Sequence, residues 1–290
     1  MMRPMSAWRP PIGRPGRLLA GLSALLAVLA VAGERSAAVE APGTTKFRAT
    51  YAITLGGTVI GRASAESTFT GGSYVAAIKG STSGVSRMVT DATAALSGSG
   101  EIAGQRILPA SFELDTLENG FGTRVRMAMK SGRVTDVLAE PGLSRAPDRI
   151  PVTQRHKTDV VDPLGAFLVP VDRPGRQACD RVVKVFDGWT RFDVDLYFKS
   201  MKAVDGGSDT YAGQVVVCGA RMIPVAGHRL GGGSIADMVD SVRSEVWLVP
   251  VGETGLMVPY RIVIGTRWGD LVVFATRFSA TAAEKRAALE

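Results

Sequence analysis

Residues 46–69 read KFRATYAITLGGTVIGRASAESTF. In the first half, Phe47, Ala49, Tyr51, Ile53 and Leu55 alternate with Lys46, Arg48, Thr50, Ala52 and Thr54, a period of two that puts one set on each face of an extended strand. Gly56-Gly57 follows, a pair suited to the left-handed backbone of a two-residue hairpin turn, and sends the chain back through residues 58–69. The stretch predicts an antiparallel hairpin with one dry face and one wet face. Gly71-Gly72 repeats the device. Farther on, Phe192, Val194, Leu196 and Phe198 oppose Arg191, Asp193, Asp195, Tyr197 and Lys199 after a turn at Asp187-Gly188. Residues 256–266 and 271–279 read the same way, with Gly269-Asp270 as the reversal, whereas Gly98-Ser99-Gly100 reads only as a turn.

Extended along the chain, this grammar predicts roughly twelve to fourteen strands, more than a twisted open sheet carries without curling or splitting. The expected fold is mainly β, a large, strongly curved antiparallel sheet in the form of an open barrel, half-barrel or β-spiral, with one or two short helices. One helix is expected over residues 162–169, where Asp162 caps, Pro163 takes the first position, Leu164, Phe167 and Leu168 form an apolar face and Pro170 stops it. A second is expected in the tail, where Thr281 and Glu284 stand at capping-box spacing. Residues 234–248 carry both signals: Ile235, Met238, Val239 and Val242 have helical spacing, residues 246–249 read as strand, and Gly231-Gly232-Gly233 ahead of them reads as a mobile loop.

The N-terminus has a different character. Arg3, Arg9, Arg14 and Arg17 precede an apolar run at 18–32, and Ser36-Ala37-Ala38 supplies the small residues at which a signal peptidase cuts. Fifteen residues rise only about 22 Å as a helix, short of a hydrocarbon core of roughly 30 Å, which favours a cleaved signal over an anchor. The expected organisation is a signal peptide over residues 1–38, a single β-rich domain over 39–290 and a periplasmic location, with no integral membrane segment after cleavage. The net charge of the 290 residues is +7. Without the signal's five Arg and one Glu, 29 basic and 26 acidic residues remain, a net of +3 that gives no electrostatic reason to expect nucleic acid.

Cys179 and Cys218 are the only cysteines, and in an exported chain a single disulfide between them is the economical reading. A redox pair lacks the CxxC spacing, and two cysteines with a distant histidine make a poor zinc site. The two histidines, His156 and His228, have no nucleophile near them in sequence and read as a solvated basic turn and a strand-end structural residue. Asp193 and Asp195 share a strand face, as paired hydrolytic carboxylates would, but Arg191 and Lys199 beside them point to a charged outer face. GxSxG, HExxH, P-loop and dinucleotide motifs are absent, so neither a catalytic residue nor a metal site nor a cofactor is expected.

Five segments carry a resemblance: residues 51–62 (YAITLGGTVIGR), 162–167 (DPLGAF), 186–198 (FDGWTRFDVDLYF), Cys218 with 224–228 (PVAGH), and 259–272 (PYRIVIGTRWGDLV). Their spacing resembles the bacterial family known as domain of unknown function 3108. What the resemblance implies is an exported antiparallel β protein of the cell envelope with no settled biochemical role. The pattern is also broadly similar, in architecture alone, to the half-barrels of periplasmic lipoprotein carriers and to spiral-shaped envelope-integrity proteins of alphaproteobacteria. Two functions follow. The first is a non-catalytic protein of envelope integrity or assembly that binds an envelope protein, peptidoglycan or lipid. The second is a carrier or sensor of an apolar, lipid-like ligand on a concave face made by Phe192, Leu196, Phe198, Trp247 and Tyr260 and closed by the Asp162 helix. A hydrolase built from dispersed Asp and His residues is the third, without a motif to support it.

Overall fold

The computed structural model describes residues 43–84, 90–144, 146–207, 209–230 and 242–282. The expected signal peptide, the mobile glycine loop, all but Val242 of the helical stretch after it and the tail helix beyond Ala282 lie outside the described residues.

Fourteen strands form one antiparallel sheet, and no α-helix occurs among the described residues. They are β1 (Thr44–Leu55), β2 (Thr58–Thr70), β3 (Ser73–Thr82), β4 (Ala92–Ala103), β5 (Arg106–Glu118), β6 (Phe121–Lys130), β7 (Arg133–Glu140), β8 (Val169–Pro170), β9 (Arg181–Phe186), β10 (Arg191–Val204), β11 (Gly213–Ala226), β12 (Glu245–Pro250), β13 (Leu256–Thr266) and β14 (Gly269–Ala282). Their order, β7-β6-β5-β4-β3-β2-β1-β14-β13-β12-β11-β10-β9 with β8 added beside β13, is two meanders joined where the first strand meets the last. That junction runs from Thr45 opposite Ala282 to Leu55 opposite Leu271.

The ladder does not close, because β7 and β9 do not pair with each other. One strip of chain serves both edges instead. Val160 N–H donates to the Gly132 carbonyl at the start of β7 (3.0 Å), Val161 N–H donates to Lys184 on β9 (2.9 Å), and Phe186 N–H donates back to Val161 (3.0 Å). Isolated bridges at Arg133–Thr158 and Val161–Val185 complete this stitch. It occupies part of two edges that would otherwise offer unpaired backbone to another chain.

Turn chemistry fixes the hairpins. Gly56 and Gly57 both have positive φ (55° and 86°), as does Asn119-Gly120 (49° and 86°), the geometry that matches the twist of two-residue hairpins. Two turn readings are corrected. The β13–β14 reversal falls on Arg267-Trp268, where Thr266 Oγ1 accepts from Trp268 N–H (3.2 Å) and donates to the Gly269 carbonyl (2.6 Å). Gly269 is there because a Cβ would come within 3.0 Å of Gly56 Cα, so it lets two turns touch. Gly98-Ser99-Gly100 is no turn: it lies inside β4, where a Cβ on Gly100 would stand 2.8 Å from the Tyr74 ring and 2.5 Å from the Leu108 carbonyl. Glycine inside a strand marks such a close approach. Gly100→Ala is therefore expected to lower the unfolding free energy by about 1–3 kcal/mol through overpacking, measured by urea denaturation.

Three buried clusters hold the sheet. Phe47, Ala49, Phe69 and Tyr74 of β1–β3 meet Val215, Val217, Val249 and Val258 of β11–β13. Cys179, Leu196, Val216, Cys218, Leu248 and Met257 form the second, and Phe112, Val125, Met127, Val160, Leu164 and Phe186 the third. Successive residues Val215 to Cys218 feed alternate clusters, so this part of β11 is covered on both faces.

The predicted helix after Asp162 is reduced to one turn. Asp162 Oδ1 accepts from Leu164 N–H (2.7 Å) and Gly165 N–H (3.1 Å), a cap as expected, and a 3-10 turn covers Gly165–Phe167. Helix then gives way because Val169 and Pro170 pair with Met257 and Leu256 as β8.

Candidate ligand-binding cavities

The Asp162 turn projects Phe167 between two apolar cavities. The larger, about 320 Å³, is walled by Val183 and Val185 of β9, Phe192, Val194 and Leu196 of β10, Ala220 and Met222 of β11, Val246 and Leu248 of β12, and Ile262 of β13. The smaller, about 200 Å³, lies against Tyr51, Ala63, Ala65, Ile78, Leu164 and Val273. Phe167, Pro259 and Ile262 belong to both walls, so the two spaces adjoin at the Phe167 ring. Phe167 is 38% exposed, large for a phenylalanine held among apolar neighbours.

Polar groups are few in these walls. Ser244 and Glu245 reach the larger cavity. Glu245 takes Lys199 Nζ on Oε1 (2.6 Å) and Trp247 Nε1 on Oε2 (3.0 Å). Burial raises its pKa, but the bonds from Lys199 and Trp247 outweigh burial and hold the carboxyl below its ordinary range. It is an ion-paired anion, not a poised base.

Of the five residues expected on a ligand face, the structure brings two together. Phe192 and Leu196 line the larger cavity. Trp247 lies between Val246 and Leu248, both in the wall, and therefore faces away. Lys202 (4.5 Å) and Arg261 (5.4 Å) both stand over its ring. Tyr260 is the residue left unpaired at the register shift between β12 and β13, and it packs edge-on against Tyr211 at 6.3 Å. Phe198 packs into the disulfide cluster beneath Arg176, 5.2 Å from its guanidinium. The wall also holds Val194, Met222 and Ile262, which stand outside the expected ligand face; Val194 shares the strand alternation of Phe192 and Leu196, and Ile262 stands in a strand with the same pattern.

The other singled-out residues are dispersed. Cys179 and Cys218 form a disulfide, both fully buried. His156 Nδ1 accepts from Thr153 N–H (3.1 Å), which makes it the cap of its own short turn. His228 follows β11, its Nδ1 buried without a partner. Asp193 pairs with Arg191 at 2.7 Å, and here the expectation of an ordinary charged outer face is corrected: Arg191 is buried, close enough to Asp159 of the stitch to favour that carboxylate's charge. Asp162 is fully buried with Oδ2 unpartnered, and burial pushes it up to about 6 despite the amides on Oδ1. The Tyr74 hydroxyl is likewise buried and unpartnered; burial raises its pKa, and the charge of Asp162 raises it further.

Among the described residues no group of three or more His, Cys, Asp or Glu side chains is placed to hold a metal ion, and no helix is long and apolar enough to cross a membrane. No protein-family model matches the chain, nor does any curated protein. Among solved structures it is similar to a beta-barrel-like protein of domain of unknown function DUF1849 from Brucella abortus, with 10% identity and a TM-score of 0.45 over 84% of this chain and 98% of that one. A likeness at that level assigns neither a family nor an activity.

Proposed function

We propose that this protein is a non-catalytic, exported carrier or sensor of an apolar ligand, held in the two cavities that meet at Phe167. The observation that carries the reading is the walls themselves: adjoining spaces of about 320 and 200 Å³, lined by aliphatic and aromatic side chains, within a sheet whose acidic and basic groups are mostly engaged elsewhere. Pockets of this size and character are the usual form of a small-molecule site. Export to an oxidising compartment such as the periplasm accords with the basic-then-apolar N-terminal sequence and with the disulfide. The resemblance to domain of unknown function 3108 supports the same placement in the envelope. Partner binding for envelope integrity, the other reading of the sequence, requires no internal space, and the cavities favour the carrier over it.

Native mass spectrometry of protein purified from the periplasm, with lipid extraction, is expected to find a stoichiometric apolar molecule. In a titration with saturated acyl alcohols, each added methylene is expected to tighten binding about fourfold until the cavities fill, from about 0.8 kcal/mol per buried CH₂. Phe192→Asp should abolish this binding, and Trp247→Ala, on the other face, should leave it unchanged. Affinity that does not respond to chain length, or equal effects of the two substitutions, would sink the reading.

A further inference from the structure

A third cavity has the opposite character. It is a cleft of about 470 Å³ at the stitch between the two sheet edges, lined by three cations, Arg106, Arg181 and Lys184, and two carboxylates, Asp159 and Asp180. Asp159 is claimed twice, by Lys184 Nζ at 2.6 Å and by Arg106 Nη2 at 3.5 Å. Asp180 faces Arg176 at 3.7 Å. Arg181 is left without a carboxylate among the described residues. Its Nη2 donates to the carbonyls of Pro170 (2.9 Å) and Gln177 (3.4 Å), while its Nε is buried with no acceptor. Burial is the one influence that moves its ionisation, and it acts against the charge. A half-buried guanidinium with donors to spare matches the planar, paired oxygens of a carboxylate or phosphate.

The cleft shares a lining residue with each apolar cavity. Val183 lines the cleft and the larger cavity, and Leu168 lines the cleft and the smaller one. A molecule with its head in the cleft and its tail beyond either residue would meet cationic donors at one end and mainly hydrocarbon at the other.

We propose that the seam cleft is the headgroup site of an anionic amphiphile, whose carboxylate or phosphate lies against Arg181 with Arg106 and Lys184 beside it, and whose chain passes Val183 or Leu168 into the apolar cavities. This rests on the apolar-ligand reading above and adds the chemical class of the ligand. Arg106 and Lys184 are the more exposed of the three cations and contribute less.

The test is calorimetric titration of the full chain, below micellar concentrations, with laurate, dodecyl phosphate and dodecanol, and with acetate and inorganic phosphate as heads without tails. Laurate and dodecyl phosphate are expected to bind about tenfold more tightly than dodecanol, the head alone not measurably. Arg181→Gln should bring acid and alcohol to parity without weakening the alcohol. Because Arg181 also holds two carbonyls, Lys184→Gln, on an exposed side chain, serves as the second variant and should narrow the preference by a smaller factor. Equal affinity for acid and alcohol, unmoved by both substitutions, would overturn the headgroup assignment and leave the apolar cavities standing. Failure of every chain to bind would overturn both. Binding of phosphate or acetate as tight as that of the whole amphiphile would replace the proposal with a site for free anions.

Discussion

Reduction of the Cys179–Cys218 bridge is expected to lower the unfolding free energy by about 4 kcal/mol, the cost of closing a loop of this length in the chain-entropy model. The two cysteines are 39 residues apart, and the chain between them builds β9, β10 and the first part of β11. β9 has β10 as its one ladder neighbour, so the bridge, set just before β9, ties the end of the sheet to β11. Both sulfurs are fully buried among Leu196, Val216, Leu248 and Met257, where water and reductant have poor access in the folded state. Urea denaturation with and without reductant measures the effect. A Cys179→Ala, Cys218→Ala double variant should match the reduced protein, because alanine introduces no buried hydroxyl in place of the sulfur. Coincident midpoints for oxidised and reduced protein would remove the bridge from the account of stability.

The second large effect is a dependence on pH carried by Asp162. Its carboxyl is fully buried, half of it capping the turn that bears Phe167 and half of it unpartnered, and burial pushes its pKa up to about 6. In the unfolded chain an aspartate titrates near about 3.9. Between those two values the folded protein holds a proton that the unfolded chain has released. The contribution of this group to stability is therefore full below about pH 4 and is lost as the pH rises through about 6, by roughly 3 kcal/mol in all. Asp115, Asp148 and Asp159, held below their ordinary range first of all by hydrogen bonds from Arg126, Arg229 and Lys184, act in the opposite direction. Comparison with Asp162→Asn isolates the effect, since asparagine keeps an oxygen for the Leu164 and Gly165 amides but does not titrate. The stability of the variant relative to the native protein should rise by about that amount between pH 4 and pH 7.5. A difference that stays constant with pH would show that Asp162 does not hold its proton in the fold.

Much of this architecture is written in local chemistry. The alternation from Phe47 to Leu55, the paired glycines after it and the Asp187-Gly188 turn each determine a hairpin from within a few residues, so strands and their faces are legible one by one. Asp162 is also legible as a cap. What local pattern cannot carry is distance. Gly100 looks like a turn until Tyr74, from the neighbouring strand, is laid across it. The turn after Asp162 looks long enough for a helix until β13 claims Val169 and Pro170. Trp247 and Tyr260 look like natural binding aromatics, yet a single step of strand parity and one register shift turn them away from the cavity that Phe192 and Leu196 face. Arg181 in the seam is one arginine among many in sequence, and that it has no carboxylate partner among the described residues is visible only where the two sheet edges meet.

The pairing of β1 with β14 gives the molecule a kinetic character of its own. Within each meander, the two-residue β8 aside, strands consecutive in the chain pair with each other, contacts that form with little loop closure, whereas the junction of Thr45 with Ala282 must wait for residue 282 to emerge. Synthesis therefore delivers one half-sheet and most of the other before it delivers the strand that unites them. In topological terms the sheet is one open run of strands with β1 and β14 paired at its middle, and the exposed stretch around Pro141 and Gly142 lies on the connection between its two far ends, ahead of the stitch. A circular permutant opened there, with Ala282 joined to Thr44 by a short linker, would convert the slowest contact into a hairpin and fold faster to the same sheet.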